Sequence, residues 1–196
     1  VPLTVAGTGD GISLTDVLDS LLGLLDELFT CVRDRDASVS TGRHELAGGG
    51  GCQPSDKAFV ARQKNRLRDA GLLSETVFQP NLDREEKLAF YSGLTVLSVP
   101  AGYGEAFGMY VVEAMASGVP VVAPDDASFP ELIGQTGAGA LCEKGSATAL
   151  ADTLGQLLLD RGRLANCAAA GRQAAAQTYN IERMAESFAA RLTKLA

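Results

Sequence analysis

Two glutamates, Glu105 and Glu113, are separated by seven residues in a stretch otherwise made of glycine and apolar side chains. An ionised carboxylate only accepts hydrogen bonds, which suits it to the hydroxyls of a sugar. Glu105 follows Gly102 and Gly104 in a loop that opens where the apolar run 94–99 breaks at Pro100. Glu113 lies within a helix-like segment, 107–117, with Val111, Val112, Ala114 and Met115 around it. A carboxylate buried there without a partner costs several kcal/mol, so it must be solvated, paired or used by a ligand. Gly118 ends the helix and a second apolar run, 119–123, follows at once. Strand, glycine loop, helix and strand together present a helix N-terminus to an anionic ligand.

The elements that must position these acids can be followed along the chain. Residues 1–6 form a brief apolar run before the loop Gly7-Thr8-Gly9-Asp10-Gly11. The spacing of Ile12, Leu14, Val17, Leu18, Leu21, Leu22, Leu25 and Leu28 predicts a helix with a broad apolar face. Residues 33–43 are charged and rich in Ser and Thr and read as a surface loop, followed by a weak strand at 44–47 and four glycines. Pro54, Ser55 and Asp56 open a helix running to about residue 70, which Gly71 closes. A strand is expected at 76–79, a helix with an acidic cap at 83–91, a helical turn at 129–133 and a strand at 137–141. Helices are expected at 146–159, 160–177 and 180–195. Short strands, apolar on both sides and alternating with helices, imply an α/β fold: a doubly wound parallel sheet of about six strands with C-terminal helices. Ligands of such sheets bind beyond the carboxyl ends of the strands.

With 196 residues the chain suits a single domain. Its formal net charge of -7 argues against nucleic acid or an anionic membrane as the main partner. Neither a membrane span nor a secretory leader is legible, and a cytoplasmic location is expected. Cys31, Cys52, Cys142 and Cys167 are widely spaced and His44 is the one histidine, which excludes the common zinc patterns and gives no disulfide framework.

The central stretch resembles the donor-binding half of retaining nucleotide-sugar glycosyltransferases with the GT-B fold, the family 4 (group 1) type. The resemblance rests on two Glu separated by seven residues, followed by Ala114-Met115-Ala116-Ser117-Gly118-Val119-Pro120-Val121-Val122. Downstream, Phe129-Pro130-Glu131-Leu132 is similar to the family's Pro-Glu-Leu/Ile step. The likeness covers residues from about 77 to the C-terminus well and the first ~50 poorly. It implies that residues 1–196 are one nucleotide-sugar-binding domain, the C-terminal half of an enzyme whose N-terminal acceptor domain is absent. Any membrane association would then run through that missing half, and the chain alone is expected not to transfer sugar. Glu113 would accept from the nucleotide ribose, and Glu105, the candidate catalytic residue, would hold the donor sugar, both as hydrogen-bond acceptors and not as general acid and base. Backbone N–H groups of Phe107, Gly108, Met109, Tyr110 and Val111 would meet the sugar and pyrophosphate. Gln79, Pro80, Asn81 and Leu82 would border the base. Gly7, Thr8 and Gly9 would form the phosphate loop. The resemblance implies no cofactor and no metal, the nucleotide sugar being the substrate, because cationic side chains neutralise the leaving diphosphate.

One departure concerns that charge. The family places an Arg just after the first strand and a Lys about five residues later, whereas residues 1–32 here contain no Lys or Arg and five acids, Asp10, Asp16, Asp19, Asp26 and Glu27. Ala127-Ser128 also replaces the family's Gly-Gly before the Pro-Glu step. The alternative function is therefore a degenerate, non-catalytic doubly wound scaffold lacking the basic pair. Other readings fit less well. The glycines at 7, 9 and 11 have the wrong spacing for a dinucleotide fingerprint. A phospho-receiver would need an Asp and a Lys where Gln79-Pro80-Asn81 and Ala123-Pro124-Asp125 stand.

Overall fold

The computed structural model describes residues 4–5, 12–13, 29–34, 44–50, 52–69, 71–102 and 104–194. Two short strands, β1 (Thr4–Val5) and β2 (Ile12–Ser13), pair antiparallel, so the predicted helix does not begin at Ile12; its remainder, 14–28, lies outside the described residues. The expected phosphate loop, Gly7, Thr8 and Gly9, lies outside them too.

Six strands form the main sheet: β3 (Phe29–Asp34), β4 (His44–Gly50), β5 (Thr76–Pro80), β6 (Val96–Ser98), β7 (Val121–Pro124) and β8 (Gly139–Cys142), in the order β5-β4-β3-β6-β7-β8. β4 and β5 are parallel, as are β6, β7 and β8, whereas β3 runs antiparallel to both neighbours. Five strands therefore point one way, and the expected all-parallel sheet is corrected at β3. Only residues 35–43 connect β3 to β4, too short for the crossover of about a dozen residues that a parallel pair needs. β3 also takes Arg33 and Asp34 from the expected loop, and its Phe-Thr-Cys-Val start has the β-branched and aromatic types that favour strands.

The helices follow local signals closely. A 3-10 turn at Pro54–Asp56 leads into α1 (Lys57–Asp69). In α2 (Arg84–Ser92), the Asp83 side chain accepts from the Glu86 N–H, and the Glu86 carboxylate accepts from the Asp83 N–H, at 2.9 and 3.0 Å. This reciprocal capping box fixes the first turn of α2. The others are α3 (Met109–Ala116), α4 (Ala147–Leu159), α5 (Arg161–Gln177) and α6 (Ile181–Thr193); a π-helical turn spans Pro130–Gly134. Ser146, Asp160 and Asn180 cap the last three helices with their side chains, as short polar residues at helix starts do.

Alternation along the strands sends successive side chains to opposite faces. Val96 and Val122 join Leu67, Leu72, Leu150, Leu154 and Leu157 in one core beneath α1 and α4. Leu97 and Val121 join Val111, Met115, Phe129, Leu132 and Ile133 in the other, beneath α2, α3 and the π turn. α5 packs closely on α3: a side chain at Gly171 would stand 3.4 Å from the Cα of Met115. α6 buries none of its residues and leaves Ile181, Met184, Phe188 and Leu192 exposed along one side.

Burial pushes the Cys142 thiol up from its ordinary 9.0 to about 11. The unfolded chain releases that proton near pH 9 while the folded chain keeps it. Stability from this group is thus full below pH ~9 and falls by on the order of 2 kcal/mol as pH rises to ~11. Chemical denaturation of Cys142→Ala and the native chain across that window should show a shallower alkaline loss in the variant.

Candidate functional site

The carboxyl ends of β4 to β8 gather at one edge of the sheet, and of the expected site residues those described, 79–82, 105, 107–111 and 113, lie in or beside the loops and helix starts that follow β5 and β6 there. α3 begins at Gly108, whose φ of +82° places it in the left-handed region that glycine enters without steric cost. A Cβ at Gly108 would also stand 3.4 Å from Cγ of Glu105 and 3.5 Å from Leu132. The glycine thus lets the loop turn sharply into the helix with Glu105 folded beside it.

Glu105 is half-buried. Its Oε1 accepts from the Phe107 N–H at 3.3 Å, and its carbonyl accepts from the Ser128 N–H at 3.3 Å. The second bond joins the β6–α3 loop to the β7 loop, where Ala127 has φ +52°. Asp126, in that loop, pairs with Lys144 beyond β8 at 2.8 Å. The Ser128 hydroxyl is buried without a hydrogen-bond partner.

Glu113 sits one turn into α3 and resolves the burial problem by being half-exposed and paired. Lys87 Nζ donates to Oε1 at 2.7 Å, and the Tyr91 hydroxyl donates to Oε2 at 3.1 Å. Lys87 and Tyr91 are four residues apart on α2 and so share a face. Tyr91 is buried, its ring edge-on to Phe90 with centroids 5.9 Å apart, and is a stiff donor. Lys87 is long and 42 % exposed. Beside this cluster a cleft of about 640 Å³ is lined by Leu82, Arg84, Lys87, Leu88, Tyr91, Glu113 and Ser117, among others.

Three expectations for backbone and loop residues need refinement. The Phe107 N–H is taken by Glu105, and that of Val111 donates to the Gly108 carbonyl at 2.9 Å; Gly108 and Met109 carry the N–H groups at the very start of α3. Asn81, at φ +57°, faces Cys52, giving and receiving backbone hydrogen bonds at 2.9 and 2.8 Å. It clips the loops after β4 and β5 together. Of the four expected base-loop residues, Leu82 lines the cleft; Gln79 lies near the end of β5 with a buried Oε1 lacking a partner, and Pro80 is exposed. Sequence reasoning missed Lys87 and Tyr91, for which the available signal was their i, i+4 spacing on the capped helix α2.

Among the described residues no group of three or more His, Cys, Asp or Glu is arranged to hold a metal, and no helix is long and apolar enough to cross a membrane. Cys52, Cys142 and Cys167 are free thiols.

Residues 44–174 match the family described as glycosyl transferases group 1. The lipopolysaccharide core biosynthesis mannosyltransferase LpsB of Rhizobium meliloti is 33% identical over 68% of this chain and 38% of its own length. The chain thus spans well under half of that relative. Among solved structures, the C-terminal domain of the group 1 glycosyl transferase LpcC from Francisella tularensis has a TM-score of 0.59 and 28% identity, covering 66% of each chain. Anabaena Alr3699/HepE, solved with UDP and glucose, shares the fold at TM-score 0.67 and 21% identity, over 74% of this chain and 39% of that one. With the paired glutamates set around the start of α3 and the match extending from β4 into α5, the chain belongs to the glycosyl transferases group 1.

Proposed function

We propose that this chain is the donor-binding domain of a retaining glycosyltransferase, taking a nucleoside-diphosphate sugar whose acceptor is held by an N-terminal domain outside residues 1–196. The observation that carries the reading is Glu113, oriented by Tyr91 and Lys87 in the wall of a cleft, one turn from a helix start that Glu105 borders. The Glu113 carboxylate is an acceptor-only group suited to ribose hydroxyls. The glycine-turned start of α3 aims N–H groups at an anion, and Glu105 stands beside it for a sugar hydroxyl. HepE, which shares the fold, was solved with UDP and glucose. No cofactor or metal enters this reading, and the cytoplasm is its proposed location.

Calorimetric titration with UDP, GDP, ADP and their sugars tests it. Binding of at least one is expected, and Glu113→Gln should weaken it by about tenfold or more by removing a charged acceptor. Failure of every one of these ligands to bind at millimolar concentration would favour the degenerate scaffold. The absence of Lys and Arg from residues 1–32 is the observation behind that second reading.

A further inference from the structure

The donor-site reading leaves the charge of the diphosphate unanswered, since residues 1–32 supply no cation. Lys87 offers one. Its ammonium contacts Glu113 Oε1 at 2.7 Å, and both side chains are partly solvated, at 42% and 32% exposure. A half-exposed ion pair of this kind holds its geometry weakly, because water screens it and the lysine gives up rotamer freedom to make it. The other oxygen of Glu113 is fixed by the buried Tyr91, so the carboxylate stays in place if Lys87 leaves. Side chains on a helix lean toward its N-terminus. The Glu113 carboxylate, to which Lys87 is bonded, therefore leans toward the turn that starts at Met109. The helix start, where an anion is favoured, is about one pitch from Glu113, roughly 5–6 Å. That shift is within the swing of a four-carbon side chain.

We propose that Lys87 is an exchangeable cation: in the empty site it occupies Glu113, and on donor binding the ribose hydroxyls replace it there while it turns to the diphosphate. The proposal rests on the donor-site reading above. It gives Lys87 two opposed effects. Toward a nucleoside it is a competitor for Glu113; toward a nucleoside diphosphate it is a ligand. Arg84 is the other cation lining the cleft, and Asp83, Glu85 and Glu86 are the acids beside it on the same turn of α2.

The test is titration of the 196-residue chain, followed by NMR, with uridine, guanosine, UDP and GDP, for the native protein and for Lys87→Met, Lys87→Arg and Arg84→Met. Lys87→Met should weaken UDP or GDP by about tenfold or more, the worth of one charge-assisted contact. The matching nucleoside should bind unchanged or more tightly. Lys87→Arg should recover most of the diphosphate affinity. An equal loss of nucleoside and diphosphate affinity would mean that Lys87 only orients Glu113 and would overturn the exchange. No change on Lys87→Met, or a loss confined to Arg84→Met, would overturn it as well. If the native chain binds neither of these diphosphates, nor ADP or any of the nucleotide sugars, the donor-site reading itself fails and carries this one with it. Melting temperatures of the variants within a few degrees of native separate these results from a folding defect.

Discussion

Gly139→Ala should leave the chain unable to hold its last strand. Gly139 opens β8 directly opposite Val121, and a Cβ there would overlap the Val121 carbonyl oxygen and crowd its backbone nitrogen and carbonyl carbon. All three are backbone atoms of a buried strand, so no rotamer change relieves the overlap. The pair must separate, and with it the hydrogen bonds that continue to Cys142. Loss of more than ~4 kcal/mol is expected, a large share of the 5–15 kcal/mol that stabilises an ordinary domain. Gly145→Ala is the comparison. Gly145 has φ +73° and nothing within 4 Å of its would-be Cβ, so alanine there meets only the left-handed penalty, about 1–2 kcal/mol. Urea denaturation of the two variants should separate them clearly. Equal and small losses would show that β7 and β8 do not meet as closely as described.

The second large effect is expected from Phe129→Ala, at a loss of about 3–5 kcal/mol. Phe129 is 1% exposed, belongs to the core that contains Val111 and Met115 of α3, and directly precedes the π turn. Truncation leaves a cavity whose size exceeds what the flanking Leu132 and Ile133 can fill, since densely packed interiors relax only partly. Phe129 also follows Ser128, whose N–H ties its loop to the carbonyl of Glu105. Loosening therefore spreads to the acid expected to hold the donor sugar. Phe129→Leu, which keeps most of the volume, should cost less than half as much by thermal unfolding. A loss below ~1 kcal/mol for the alanine variant would contradict the buried placement.

Much of this arrangement is written in short-range signals. The Asp83 to Glu86 pair, the serine at 146 and the asparagine at 180 each act within one helical turn, so the starts of α2, α4 and α6 follow from adjacent residues. The unbroken apolar pairs Val96-Leu97 and Val121-Val122 mark β6 and β7 as buried on both faces. Glu105 and Glu113 are legible by type and spacing. What was not legible depends on distant partners. The reversal of β3 follows from its short link to β4 only once 29–34 is known to be a strand, and its pairing with β6 spans more than sixty positions. Lys87 and Tyr91 reach Glu113 across 26 and 22 positions of sequence. Asn81, which the family resemblance leads one to expect beside the base, is hydrogen-bonded to the backbone of Cys52, 29 positions away.

α6 stands apart from this interdependence. Every one of its side chains is at least partly in water, and its start is held by the Asn180 cap. Its helicity is therefore a nearly local equilibrium, coupled weakly to the cooperative unit formed by the sheet and its two cores. Short helices without a buried face are marginal in water, and segments of this kind open at far less than the global unfolding free energy. The last helix can melt and re-form while the glutamates, Lys87 and Tyr91 keep their places.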